Sequence, residues 1–203
     1  MSLAIAIKKG DTVFVGADSL LSRQNSLKSV LKEGHEKAWK IKGSCVIFAH
    51  TGAVVDRNII EMSDDIIDND FSDRTIQFKD VVNNIVPKMM SLLKKEEFNN
   101  CSYSSFILAH RDKLYEIDND GCVVEPYEDY VSIGSGSEVA DGAFQVIKDC
   151  EHLTPEQKIV KIISAACDIH SSVGYPIRVI NTKNDDVIFI NNEEEANEFV
   201  KCS

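Results

Sequence analysis

Long apolar runs, paired cysteine motifs and an excess of basic residues are all missing from this 203-residue sequence. No apolar run reaches the length of a membrane span, and the N-terminus lacks the basic region and cleavage site of a signal peptide. The six cysteines form no CxxC pair and have no histidine at zinc-binding spacing. We therefore expect a cytoplasmic, reduced protein with buried free thiols and no metal or other cofactor.

Basic residues are outnumbered by acidic ones, 22 against 33, which gives a formal net charge of −11. Nucleic acids and anionic membranes bind basic surfaces, so this balance argues against both as partners, and solubility alone explains an acid excess. Hydrophobic residues make up 43% of the chain, enough for a real core. The simplest organisation is one soluble domain over residues 1–203.

Apolar periodicity divides the chain into strands and helices. The predicted strands are 2–8, 12–17, the centre of "KIKGSCVIFAHTG", "YSSFILAH", "KLYEID", "YVSIG", "YPIRVI" and "DVIFI". The predicted helices are "AVVDRNIIEMSDDIID", "TIQFKDVVNNIVPKMMSLLKKEE" with a kink or a later start at Pro87, about 137–150, about 155–170 behind a Thr154 cap, and a short "EEEANEFV". The polar stretch 18–37 is assigned no element.

The order of these elements is strands, two helices, strands, two helices, strands. Two sheets built from hairpins must bury apolar faces on each other, and each helix pair must cover the other face of one sheet. This order predicts an α+β fold, a four-layer αββα sandwich of two antiparallel sheets between helix pairs. A parallel sheet would need strands and helices in strict alternation.

A glycine-rich turn, Gly134-Ser135-Gly136, lies between a predicted strand and a helix. Such a turn can present backbone N–H groups to an anion, but a GxGxxG nucleotide loop needs a third glycine where this chain has Val139. Two other interpretations stay open. The glycines let the helix pack closely on the sheet, or the turn places Ser135 to help chemistry elsewhere.

The second residue carries chemistry of its own if Met1 is removed, as is expected before a small residue. Ser2 would then bear both a hydroxyl and a free α-amine, whose ordinary pKa of about 8 lets it act as a general base. One residue could thus supply nucleophile and base. Many chains begin Met-Ser without any such role, so other segments must support this hypothesis.

Those segments follow in order as "GADS", "KAWKI", "TGAVVD", "IGSG" and "DIHSS". With Ser2 they resemble the motifs of the proteasome β-subunit family, most closely the bacterial proteasome-like peptidase that works beneath an ATPase ring. The resemblance spans roughly residues 2–181 and implies the N-terminal-nucleophile hydrolase fold. Carried over position by position, it implies a catalytic set of Ser2, Asp18, Lys37, Gly52, Ser135, Asp168 and Ser171.

The resemblance also implies what each group does. Ser2 is the nucleophile, Lys37 lowers the pKa of its amine and hydroxyl, and Asp18 orients Lys37. The backbone N–H of Gly52 faces the oxyanion. The group formed by Ser135, Asp168 and Ser171 surrounds the α-amine and fixes its position.

Three positions depart from the family pattern. Serine replaces the usual threonine at position 2, Ala53 stands where a second glycine is common, and Ser172 stands where glycine is preferred. The last departure weakens the registration of Asp168 and Ser171. The five histidines belong to no matching motif and are interpreted as structural or surface residues.

The favoured function is a peptidase that cuts polypeptide substrates inside a homo-oligomeric ring, with a separate ATPase for any unfolding because the chain has no ATP-binding motif. A related possibility is amide hydrolysis of a small molecule. The alternative from another class is a catalytically inactive scaffold subunit of the same fold. A free amine on Ser2, with Lys37 beside it, discriminates between catalyst and scaffold.

Overall fold

A computed structural model of the protein describes residues 2–23, 27–31, 36–63, 66–67, 71, 74–95 and 104–201. Its strands are β1 (Ala4–Lys9), β2 (Thr12–Asp18), β3 (Leu20–Arg23), β4 (Leu27–Val30), β5 (Ala38–Lys40), β6 (Val46–Thr51), β7 (Ser105–His110), β8 (Lys113–Ile117), β9 (Val123–Val124), β10 (Tyr130–Ile133), β11 (Ile177–Asn181) and β12 (Val187–Ile190). Its helices are α1 (Val54–Glu61), α2 (Phe78–Asp80), α3 (Val86–Lys95), α4 (Ser137–Ile147), α5 (Pro155–Ile169) and α6 (Glu193–Lys201), with a π-helical segment, Val81–Ile85, between α2 and α3.

The strands form two five-stranded sheets and a separate hairpin. The first sheet has the order β10-β1-β2-β11-β12 and the second the order β5-β6-β7-β8-β9, while β3 pairs with β4. Every pairing is antiparallel. The chain is therefore of the mixed α+β class with antiparallel sheets, and β1 lies inside the first sheet, between two partners.

The buried apolar residues fall into three clusters. Alternation along β1 sends Leu3, Ile5 and Ile7 into a cluster with α4, α5 and α6, and sends Ala4 and Ala6 to a cluster shared with the second sheet. Side chains also alternate along β6. Phe48 packs in a cluster with α1 and α3, whereas Ile47 and Ala49 pack in the cluster between the two sheets. Many side chains between the sheets are alanines, so the two sheets approach closely there.

The close contact of α5 with the first sheet depends on a glycine. A Cβ atom at Gly16 in β2 would lie 2.2 Å from Cγ2 of Ile159, which is closer than side-chain atoms can approach. The helix begins as predicted, with Thr154 and Gln157 forming a capping box and Pro155 at the first position. Its other end, where His170 is the C-cap, lies beside the candidate site.

Three local features differ from the sequence expectations. The polar stretch 18–37 contains the β3–β4 hairpin, whose four-residue strands are too short for a sustained alternation of apolar residues. Helical structure already begins at Phe78, and regular α-helix resumes at Val86, one residue before Pro87, after the π-helical segment. The expectation of buried thiols is wrong for Cys122, which is exposed, and Cys45, Cys150 and Cys167 are only half-buried; Cys101 and Cys202 lie outside the described residues.

None of the helices among the described residues is long and apolar enough to cross a membrane.

A buried histidine fixes the segment before α2 to the second sheet. The Ile76 N–H donates to Nδ1 of His110 at 3.0 Å, and the Tyr115 hydroxyl donates to the Ile76 carbonyl at 3.1 Å. Burial, aided by the charge of Arg111, lowers the pKa of His110 to about 4. The ring is therefore neutral at pH 7, with its Nδ1 lone pair free to accept.

We predict that His110 contributes to acid lability. Because its pKa is lower folded than unfolded, its stabilisation is complete above pH 6.5 and is lost at about 1.4 kcal/mol per pH unit as the pH falls toward 4. His110→Asn keeps an acceptor for Ile76 without titrating. Urea unfolding at pH 7, 6 and 5 should give a shallower loss of stability for the variant, and parallel losses would contradict the assignment.

Candidate active site

Residue 2 lies at the start of a strand that the first sheet holds on both sides. Ser2 is buried, and Leu3 next to it exchanges two hydrogen bonds with Asp18 at the end of β2. The Leu3 N–H donates to Oδ1 of Asp18 at 2.9 Å, and the Asp18 N–H donates to the Leu3 carbonyl at 3.1 Å. The position of residue 2 is thus fixed by backbone pairing and by a carboxylate.

That carboxylate is fully buried and paired with a buried lysine. The Lys37 ammonium donates to Oδ1 of Asp18 at 2.6 Å and to the Leu20 carbonyl at 2.7 Å. Oδ2 of Asp18 accepts from the N–H groups of Leu20 at 3.1 Å and Gly174 at 3.2 Å. Each oxygen therefore has two donors, the condition under which a buried ion pair is tolerated.

Burial also changes the pKa of Lys37. Removal from water lowers the pKa of Lys37, and the negative charge of Asp18 opposes that effect in part. Lys37 is thus a desolvated cation that gives up a proton more readily than a surface lysine does. A cation of this kind stabilises negative charge developing nearby, because little water is present to screen it.

The predicted glycine turn lies directly against residue 2. Gly134 has a positive φ of 98°, and a Cβ atom there would lie 2.3 Å from the Ser2 carbonyl oxygen. The Gly136 N–H donates to the same oxygen at 3.3 Å, and Oγ of Ser135 lies 3.5 Å from it, at the limit of a hydrogen bond. The turn therefore contacts the chain at Ser2 and brings Ser135 beside it.

Gly52, Asp168 and Ser171 are the predicted residues that lie at the surface, and their expected roles stay predictions. Gly52 follows β6 with a positive φ of 127° and is exposed. Asp168 and Ser171 are both exposed, and their side chains make no hydrogen bond or ion pair with the described residues. Ser172, which is 2% exposed, contacts Ser135 instead, with 3.2 Å between the two Oγ atoms.

Two histidines near the site have no role predicted from the sequence. His50 lies across from Lys37, to whose carbonyl its N–H donates at 2.8 Å. Its Nε2 lies 3.2 Å from Oγ of Ser104, which donates to Asp56 at 2.5 Å. Burial, followed by the charge of Lys37, lowers the pKa of His50 to about 3, so the ring is neutral.

The second histidine is His170, whose Nδ1 lies 2.9 Å from Oγ of Ser172. The only sequence signal for His50 and His170 is their position within "FAHTG" and "DIHSS", which shows that they lie near a motif but not what they do.

Among the residues that the structure describes, no group of three or more His, Cys, Asp or Glu side chains could hold a metal ion.

Two antiparallel sheets, with residue 2 at the start of an inner strand beside a buried lysine–aspartate pair, define the class of N-terminal-nucleophile hydrolases. The comparisons with known proteins identify the family. The proteasome subunit family matches residues 2–180. The chain belongs to that family, and its resemblance to proteasome β-subunits is confirmed.

Several relatives are similar to the chain at low identity. The ATP-dependent protease subunit HslV of Caldanaerobacter subterraneus is 24% identical over 166 residues, covering 80% of this chain and 89% of the relative. The structure of BPH from Thiobacillus denitrificans in complex with epoxomicin has a TM-score of 0.69 at 20% identity, over 88% and 97% of the two chains. Anbu from Yersinia bercovieri has a TM-score of 0.75 at 12% identity, over 98% and 93%. These similarities show a shared fold.

The Lys37–Asp18 pair yields a stability prediction. Lys37→Met leaves the Asp18 carboxylate buried without a cation, which we expect to cost about 3–5 kcal/mol of unfolding free energy. Lys40→Met is the matched control, because Lys40 pairs at 2.8 Å with Asp185, whose side chain is 95% exposed. Such a surface pair contributes about 1 kcal/mol at most. Urea unfolding at pH 7 measures both, and equal losses would contradict the role given to Lys37.

Proposed function

We propose that this chain is an N-terminal-nucleophile peptidase in which Ser2, freed by removal of Met1, attacks the peptide bond. The observation that carries the proposal is the burial of residue 2 at the start of β1, where its neighbour Leu3 shares the Asp18 carboxylate with Lys37. Family membership supports peptidase chemistry. Serine as the nucleophile is the finer part of the proposal.

In the proposed reaction the neutral α-amine of Ser2 takes the hydroxyl proton as Oγ attacks the carbonyl carbon of the substrate. The Lys37 charge stabilises the developing negative charge, and the Gly52 N–H is the proposed oxyanion donor. The ammonium then returns the proton to the leaving amine, and the C–N bond breaks. Water, deprotonated by the same amine, hydrolyses the resulting ester and regenerates Ser2.

The same proposal covers the assembly, partner, substrate and location of the enzyme. The relatives named HslV are subunits of ATP-dependent proteases, which supports a homo-oligomeric ring and a separate ATPase partner for this chain. The three apolar clusters support a four-layer αββα sandwich. Polypeptides are the proposed substrates, and the cytoplasm is the proposed location.

An inactive scaffold subunit is the second candidate, and one observation favours it. Asp168 and Ser171, which the family resemblance assigns to the surroundings of the α-amine, are exposed and make no side-chain hydrogen bond with described residues. A site lacking those contacts would hold the amine less well. The contact of Ser135 with both Ser2 and Ser172 argues for catalysis even though Asp168 and Ser171 make no such hydrogen bonds.

Intact mass spectrometry before and after treatment with a β-lactone separates the two candidates. We predict loss of Met1 and a single adduct, together with cleavage of fluorogenic peptides, because an activated Ser2 acylates readily. Ser2→Ala should abolish both adduct and cleavage.

The control for that experiment is Ser29→Ala, which removes the hydroxyl of an exposed serine in β4 and should leave adduct and cleavage unchanged. Retained Met1, or a bare Ser2 that never reacts, would favour the scaffold and contradict the peptidase.

A further inference from the structure

A histidine to which the family resemblance gives no role, His170, contacts residue 2 through two serine hydroxyls. His170 is the C-cap of α5 and is half-buried. Its Nδ1 lies 2.9 Å from Oγ of Ser172, Ser172 Oγ lies 3.2 Å from Oγ of Ser135, and Ser135 Oγ lies 3.5 Å from the Ser2 carbonyl. The three side chains form a row of polar contacts that leads to the backbone carbonyl of Ser2.

Each hydroxyl in this row has one proton to donate, so the row has two consistent directions. In the inward direction His170 donates to Ser172, Ser172 to Ser135, and Ser135 to the Ser2 carbonyl. In the outward direction Ser135 donates to Ser172 and Ser172 donates to Nδ1 of His170. The state of the Nδ1 atom therefore decides which way both hydroxyls point.

Two contacts favour the outward direction. The Ser172 N–H also points to Nδ1 of His170, at 3.4 Å, and an N–H can only approach Nδ1 favourably when that atom accepts. At the other end, the Ser2 carbonyl already accepts from the Gly136 N–H at 3.3 Å, while Ser135 is farther away at 3.5 Å. A carbonyl served by Gly136 does not require the Ser135 proton.

We propose that His170 is a positioning residue that accepts from Ser172, so that Ser135 donates to Ser172 and is left to accept from the α-amine of residue 2, whose carbonyl oxygen lies 3.5 Å from Ser135 Oγ. The inference rests on the proposed function, because it needs an amine at that position. An amine with an oriented acceptor beside it holds its own lone pair in one direction, which is the requirement for taking the Ser2 hydroxyl proton. His170 touches no reacting atom and acts only through the two serines.

Four variants test this role through catalysis. The shorter amide side chain in His170→Asn can place its Oδ1 where Nδ1 stood, whereas the longer side chain in His170→Gln and the methyl in His170→Ala cannot. We expect His170→Ala, His170→Gln and Ser172→Ala to lower kcat by about tenfold with little change in KM, the effect of one misdirected hydrogen bond. His170→Asn should recover most of that loss. The matched control is His152→Asn, at an exposed histidine without a role in the site.

Coupling between the two positions distinguishes a shared row from two separate defects. If His170 acts only through Ser172, the double variant His170→Ala/Ser172→Ala should be no slower than either single variant. Multiplied losses, or a large change in KM with kcat intact, would overturn the inference. Thermal unfolding of each variant identifies any loss of activity that comes from misfolding.

A second measurement separates this inference from the proposed function. The pH dependence of α-amine acetylation by acetic anhydride, followed by mass spectrometry, gives the pKa of the residue-2 amine without requiring turnover. Loss of an oriented acceptor should lower that pKa in His170→Ala, and His170→Asn should restore it. An amine pKa on residue 2 that does not respond in a chain that cleaves peptides overturns the inference alone. A pKa that responds in a chain that cleaves nothing overturns only the proposed function, and retained Met1 overturns both.

Discussion

The Asp18 carboxylate is the interaction on which the rest of the site depends. It is completely buried at the end of β2 and accepts from four groups that come from four separate parts of the chain, Leu3, Leu20, Lys37 and Gly174. Those contacts join the start of β1, the start of β3, the segment before β5 and the segment before β11. Because an unsatisfied buried carboxylate is very unfavourable, these four contacts hold the segments together.

The small residues between the sheets make that convergence possible. Lys37 precedes β5 of the second sheet, while Asp18 ends β2 of the first, so their 2.6 Å contact requires the sheets to lie close together. Alanines at positions 4, 17, 38 and 49 supply the thin interface at this end. The ion pair of the site therefore depends on the packing of the core, because larger residues in the interface would separate the Lys37 ammonium from the Asp18 carboxylate.

The sequence alone predicts the parts of this design that have a period or a local rule. Alternation identifies β1 and β2, and Thr154 followed by Pro155 identifies the start of α5. The pairing of Asp18 with Lys37 is implied by the family resemblance, and the 2.6 Å contact agrees with it. The sequence does not identify the β3–β4 hairpin, whose strands are too short for a clear pattern.

The residues that follow α5 show a different limit of prediction from the sequence. Motif matching points to Ser171, yet the chain leaves the helix at His170 so that Ser172 is buried and Ser171 exposed. Which of two adjacent serines faces inward depends on the backbone after the helix, and no property of the residues themselves encodes it. The role proposed for His170 depends on the same turn and could not be predicted from the sequence either.

A serine at position 2 makes the surroundings more important than they would be for threonine. The methyl group of threonine restricts χ1, whereas a serine hydroxyl can rotate among three staggered positions. In the proposed mechanism, contacts outside Ser2 must then select the reactive rotamer. The Gly134 turn lies in close contact with the Ser2 backbone. Ser135 and Ser172 lie beside it, and the proposed contact with His170 sets the direction in which their hydroxyl groups donate. An imidazole at the end of this row gives the proposed site a way to set the direction of these hydroxyls by hydrogen bonding, without the methyl group that threonine would supply.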